Sequence, residues 1–135
     1  MHSWSTNPDF ENEKHPASLP LFVYGSLRPK GERYDLIENL VVEEPLSSSV
    51  EGVLYYSHDR SYPVLVKGSK IVYGNTLVVK ANKKLWKLLC SFELAWGYDL
   101  SWINLSSKTG KVLACTWPWD RYIGDEIVSG DWFIR

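Results

Sequence analysis

The chain has 135 residues, a formal net charge of −1, and seven tryptophans and eight tyrosines to anchor a core. That length suits one domain that buries most of its apolar surface without staples. The near-zero charge leaves no basic field to draw nucleic acid or anionic lipid, which excludes both as expected partners.

Two cysteines, Cys90 and Cys115, are too few for a disulfide framework and stand at no zinc-ligand spacing. His2, His15 and His58 make no pattern with them, so no metal is expected. Both thiols read as reduced and structural. No apolar run approaches the roughly 20 residues of a spanning helix, so no membrane contact is expected. The first residues lack the apolar core of a signal peptide, and a cytoplasmic protein is the expectation.

Residues 1–19 are polar, carry Pro8 and Pro16, and show no periodicity, which predicts a flexible arm before a single domain at 20–135. Leu21-Phe22-Val23 reads as a buried strand. The chain then turns at Gly25 beside Ser26, and Arg28-Pro29-Lys30-Gly31 continues as a loop. Tyr34, Ile37, Leu40 and Val41 fall at helical spacing, ended by Pro45. Val50–Tyr56 predicts a strand with Gly52 as a candidate bulge, and Pro63 confines the next apolar piece to an edge or a strand start.

Ile71–Val79 is rich in β-branched residues and predicts a strand. Asn82 is placed to cap a helix carrying Leu85, Leu88, Leu89 and Phe92 on one stripe, with Gly97 closing it. Lys83, Lys84 and Lys87 fall on the wet side of that helix. Tyr98–Leu105 and Lys111–Trp117 read as two strands joined across a hairpin-like connection. Most of Trp96, Trp102, Trp117 and Trp119 read as core or wall residues, with an interaction surface as the third-ranked alternative, and Asp131 beside Trp132 reads as a turn carboxylate. The count is six or seven short strands and two helices without βαβ alternation. It predicts an α+β domain: a small, mostly antiparallel β-barrel flanked by two or more helices.

Two places carry chemistry. In Tyr24-Gly25-Ser26-Leu27 a strand breaks abruptly into a glycine turn beside a small hydroxyl, an arrangement that exposes main-chain N–H groups to an anionic group. Taken alone it reads first as an ordinary turn, since glycine and serine are common turn residues. The second place is Glu93. On a helix it lies about 40° from Leu89 and about 100° from Phe92, so it leans toward the apolar stripe. A helix C-terminus and partial burial both disfavour a carboxylate's charge and move its pKa toward the range useful for proton transfer. Ser26 as a hydrolase nucleophile lacks a histidine base and the flanking glycines of a nucleophile elbow.

Read together, six pieces resemble the gamma-glutamylcyclotransferase-like superfamily. They are Val23-Tyr24-Gly25-Ser26-Leu27, the strand Val50–Tyr55, Tyr62-Pro63-Val64-Leu65-Val66, the strand Val72–Leu77, the helix end with its glutamate and following tyrosine at 88–98, and Ile127-Val128-Ser129-Gly130-Asp131-Trp132. The similarity runs from about residue 21 to 135. It implies a small barrel flanked by helices and a cofactor-free reaction on a small-molecule gamma-glutamyl substrate.

In that reaction the substrate's own α-amino group attacks its γ-carbonyl, 5-oxoproline closes, and the amine departs. The resemblance implies Glu93 as general acid/base, Tyr24, Gly25, Ser26 and Leu27 as the substrate loop, and Tyr98 as a pocket residue. Family members often carry aspartate, glycine and arginine where this chain has Cys90, Leu94 and Leu100. The alternative implied is a catalytically impaired small-molecule-binding protein of the same fold. Neither reading fixes an oligomeric state.

Overall fold

Apolar residues facing alternately to two sides build the sheet outward from its first strand. In the computed structural model, which describes residues 18–92, 97–107 and 109–135, β1 spans Ser18–Val23. Successive strand residues point to opposite faces. Leu21 and Val23 enter one buried cluster, and Phe22 and Tyr24 enter another. Strand β5, Lys111–Thr116, repeats the pattern, with Leu113 and Cys115 on one side and Val112 and Ala114 on the other. Strands buried on both faces read as continuous apolar runs, which is why these two show no alternation in sequence.

Strand β2, Leu46–Ser57, pairs antiparallel with β3, Pro63–Lys80. The register steps from Gly52↔Lys70 to Val53↔Val66, so residues 67–69 bulge from β3 opposite Gly52. A Cβ on Gly52 would stand 2.7 Å from Leu65 Cδ1 and 3.1 Å from Val66 O, so a larger residue would have to displace the buried Leu65 side chain. The expected bulge is present, and the two pieces expected at 62–66 and 71–79 are one bent strand beginning at Pro63. β4, Asp99–Asn104, forms the expected hairpin with β5, from Asp99↔Thr116 to Asn104↔Lys111. A strand absent from the sequence reading, β6 (Ile123–Glu126), pairs with β2.

The strand order is β4-β5-β1-β3-β2-β6. The sheet curls so that Leu105, just after β4, bridges Val50 of β2. The Ser106 N–H donates to Ser49 O at 3.0 Å, and the Trp117 N–H donates to Leu65 O at 2.8 Å. The result is a mixed six-stranded half-barrel.

Two expectations are corrected. The sheet, expected as mostly antiparallel, is mixed: β1 runs parallel to β5 at Leu21↔Leu113 and Phe22↔Ala114, while the other strand pairs are antiparallel. Local patterns identify a hairpin, but not which distant strand lies beside the first one. The described residues also hold one α-helix, α1 (Lys83–Phe92), instead of two or more.

The segment expected to be helical near 34–41 is a pair of 3₁₀ turns, Tyr34–Leu36 and Glu38–Leu40. Its buried anchors are Ile37 and Leu40, three residues apart. That spacing superposes side chains on a 3₁₀ turn and gives a longer α-helix little to bury. In α1, Asn82 Oδ1 accepts from the Leu85 N–H at 3.1 Å, as a cap should. Leu85 and Leu89 are buried against the sheet, while Lys83, Lys84 and Lys87 are exposed. No described helix is long and apolar enough to cross a membrane.

Candidate functional site

The end of β1 opens directly into a cavity of about 560 Å³. Tyr24, Gly25, Ser26 and Leu27 all line it. Tyr24 is buried, and its hydroxyl donates to Cys115 O at 2.5 Å, fixing the strand end to β5. Gly25 lies against the β3 start, and a Cβ there would reach within 3.0 Å of Pro63 Cγ.

The chain then folds back on itself. Gly25 O accepts from the Arg28 N–H at 3.1 Å, Arg28 O from the Gly31 N–H at 2.7 Å, and Ser26 O from the Arg33 N–H at 2.9 Å. In a trans peptide the C=O and N–H point opposite ways. With the Gly25 and Ser26 carbonyls committed to the loop's own bonds, the N–H groups of Ser26 and Leu27 face away from them. Gly31 is required here, because a Cβ would sit 2.3 Å from Ser26 O.

The other walls come from distant parts of the chain. Tyr98 is buried, donates through its hydroxyl to Pro63 O at 2.5 Å, and meets Trp117 edge-on at 5.2 Å between ring centroids. Tyr62 packs 6.2 Å from Tyr98, centroid to centroid. Leu89 lines the cavity from α1, and Trp132, Phe133 and Arg135 from the C-terminal turn. That turn needs Gly130, which stands at φ 71 where a Cβ would be 2.3 Å from Ile71 O.

The electrostatics of the rim come from short loops. Asp59 Oδ1 accepts from the Ser57 hydroxyl at 2.7 Å, the Ser61 hydroxyl at 2.7 Å and the Ser61 N–H at 3.1 Å. These bonds favour the carboxylate and pull its pKa down to about 2, with the Ser61 hydroxyl the largest cause. Tyr62 responds in the opposite sense. Burial, then the Asp59 charge, pushes its phenol above the usual tyrosine value. Arg28 forms an ion pair with Asp131 at 2.7 Å, both side chains largely buried.

All five residues expected to contact substrate, Tyr24, Gly25, Ser26, Leu27 and Tyr98, therefore line one cavity. Glu93 lies outside the described residues, as do Leu94 and Trp96. Cys90 is half-buried on α1. Leu100, where an arginine is frequent among the superfamily resembled, is buried in the apolar cluster. The sequence reading missed Ser61, Phe133 and Arg135 as wall residues. Each reaches the cavity through tertiary pairing, and nothing local marks it. Asp131 was expected as a turn carboxylate, and it does accept from the Phe133 N–H at 2.9 Å, but its ion pair to Arg28 in the loop after β1 was not foreseen.

The family profile described as gamma-glutamyl cyclotransferase, AIG2-like, matches residues 21–133, which spans both the loop and the C-terminal turn. The chain belongs to this family. Two solved structures share the cyclotransferase-type fold. One is an uncharacterised protein, PH0828, from Pyrococcus horikoshii, at 23% identity and a TM-score of 0.66 over 84% of this chain and 89% of that one. The other is YkqA from Bacillus subtilis, at 21% identity and a TM-score of 0.66, over 85% of this chain and 39% of the longer YkqA. No curated protein is significantly similar.

Proposed function

We propose that this protein is a cyclotransferase that converts a gamma-glutamyl amine or dipeptide to 5-oxoproline and a free amine. The observation that carries the reading is the convergence of Tyr24–Leu27, Tyr98 and Leu89 on one cavity, in a chain matched by the family over 21–133. The substrate α-amino nitrogen forms the new bond to the γ-carbonyl carbon, and the bond from that carbon to the leaving amine breaks. Both reacting groups belong to one molecule, so the protein's task is to hold the folded conformer.

The N–H groups of Ser26 and Leu27 would receive the α-carboxylate or the developing oxyanion. Glu93 would take the ammonium proton and return it to the departing amine. It stands four positions after Leu89, whose side chain lines the cavity. The tyrosine hydroxyls of Tyr24 and Tyr98 donate to backbone carbonyls and would shape the pocket rather than carry protons. The chemistry needs no cofactor, and a reducing cytoplasm suits the two free thiols.

The test is lactam release from a panel of gamma-glutamyl amines and dipeptides, with Glu93→Gln beside the wild type. Loss of a general acid/base should lower kcat by about 10²- to 10⁴-fold. Equal turnover by the two proteins removes Glu93 from the mechanism. A second reading, a binding protein of the same fold, is favoured by the apolar burial of Leu100 where arginine is frequent. Stabilisation by a gamma-glutamyl compound with no lactam formed would select it.

A further inference from the structure

Arg28 reaches three segments that are far apart in sequence. Its Nε donates to Asn75 Oδ1 at 2.9 Å, and its Nη1 donates to Asp131 Oδ1 at 2.7 Å. The guanidinium carbon lies 4.1 Å from the centroid of the Phe133 ring. The Arg28 and Asp131 side chains are 11% and 15% exposed. Asn75 is the register partner of Val23, the last residue of β1, so this contact folds the loop back over the strand from which it springs. Asp131 Oδ1 also accepts from the Phe133 N–H, so one carboxylate oxygen holds both the arginine and the C-terminal turn.

We infer that Arg28 and Asp131 are positioning residues of the cavity. Their ion pair clamps the loop that bears Gly25–Leu27 to the wall that bears Phe133. The inference deepens the proposed function and rests on it for its catalytic readout. Leu27, buried in the apolar core, seats the start of the loop, and the clamp holds the part beyond it. Lys30 is held at φ 71, a conformation that costs a lysine energy and persists only where the surroundings impose it. The loop's own backbone bonds close it into a compact unit, but they tie it to itself. The Arg28 fork adds polar ties from the loop to β3 and to the C-terminal turn.

The residue type fits the task. A planar guanidinium presents Nε and Nη1 to two acceptors on different elements at a fixed angle and stacks on an aromatic face, whereas lysine offers one compact charge. If the loop's N–H groups receive substrate, an error of about 1 Å in their position costs on the order of 10²-fold in rate.

The 135-residue chain is tested as wild type, Arg28→Met, Arg28→Lys, Asp131→Ala and Asp131→Asn. Amide hydrogen exchange over residues 25–33 is measured without ligand, beside kcat, KM and melting temperature. Arg28→Met and Asp131→Ala should each speed loop exchange by roughly tenfold or more and lower kcat more than they raise KM, by about 10- to 100-fold. Arg28→Lys should rescue only part of this, and Asp131→Asn, whose Oδ1 still accepts both bonds, should retain most of the protection. Loop exchange within about twofold of wild type in both Arg28→Met and Asp131→Ala overturns the clamp. So does a lower melting temperature with the kcat of the folded protein unchanged. If the wild type forms no lactam, the reaction assignment fails while the exchange rates still decide the clamp.

Discussion

Two phenol groups end on backbone carbonyls at the cavity wall, and this sets what each tyrosine can do. Tyr24 holds Cys115 O and Tyr98 holds Pro63 O, both at 2.5 Å. A buried carbonyl that loses its donor costs about 1–3 kcal/mol, because water cannot replace the bond. Tyr98→Phe keeps the edge-on contact with Trp117 and removes only the oxygen, so it should lower stability by about that amount in a chemical melt. Its effect on substrate affinity should include a shift at Pro63, which also touches the position a Gly25 Cβ would take. A variant as stable as wild type would show that the Pro63 carbonyl finds another donor.

The elements explain why parts of the site were legible and others were not. The strand-to-glycine break at Gly25, the Asn82 cap and the Gly52 bulge are local signals, and each stands where the sequence puts it. The helix expected near Tyr34 failed because helical spacing and 3₁₀ spacing share the i, i+3 contact: Ile37 and Leu40 are buried, while Tyr34 and Val41 pack only at the edge of the core. The C-terminal turn was legible as a turn but not as a wall, since its role depends on β6 laying it beside β2. Its glycine makes a sharp prediction. Gly130→Ala combines φ 71 with a Cβ 2.3 Å from Ile71 O. It should cost on the order of 1–3 kcal/mol from the backbone conformation alone and more from the clash. Because the turn carries Trp132 and Phe133, the loss should appear both in the melting temperature and as increased solvent exposure of tryptophan fluorescence. An alanine variant with wild-type stability would mean that the turn re-forms without the Tyr73 N–H to Gly130 O bond at 2.8 Å.

For the molecule as a whole, the curl of the sheet brings the β2–β3 connection to the cavity mouth, which couples pH to the site through two neighbours of opposite behaviour. Ser57, Asp59 and Ser61 close that connection, and Ser61 and Tyr62 line the cavity. The Asp59 pKa in the folded protein lies below its unfolded value. Its contribution to stability is therefore present above the unfolded pKa and is lost as pH falls toward about 2. For Tyr62 the folded pKa lies above the unfolded one, with burial the main cause and the Asp59 charge the second. Folding therefore favours the protonated phenol. That contribution is complete below the unfolded pKa of 10.0 and is lost as pH rises through the folded value. Melting temperature followed against pH for wild type and Tyr62→Phe should give parallel curves near neutrality and a steeper alkaline fall for the wild type above about pH 10. Asp59→Asn should flatten the acid arm and bring the Tyr62 transition back toward the ordinary tyrosine range, because it removes the second cause and leaves the first. Curves that stay parallel through the alkaline range would mean that Tyr62 ionises without cost, with its ring open to water rather than packed against Tyr98 at the cavity wall.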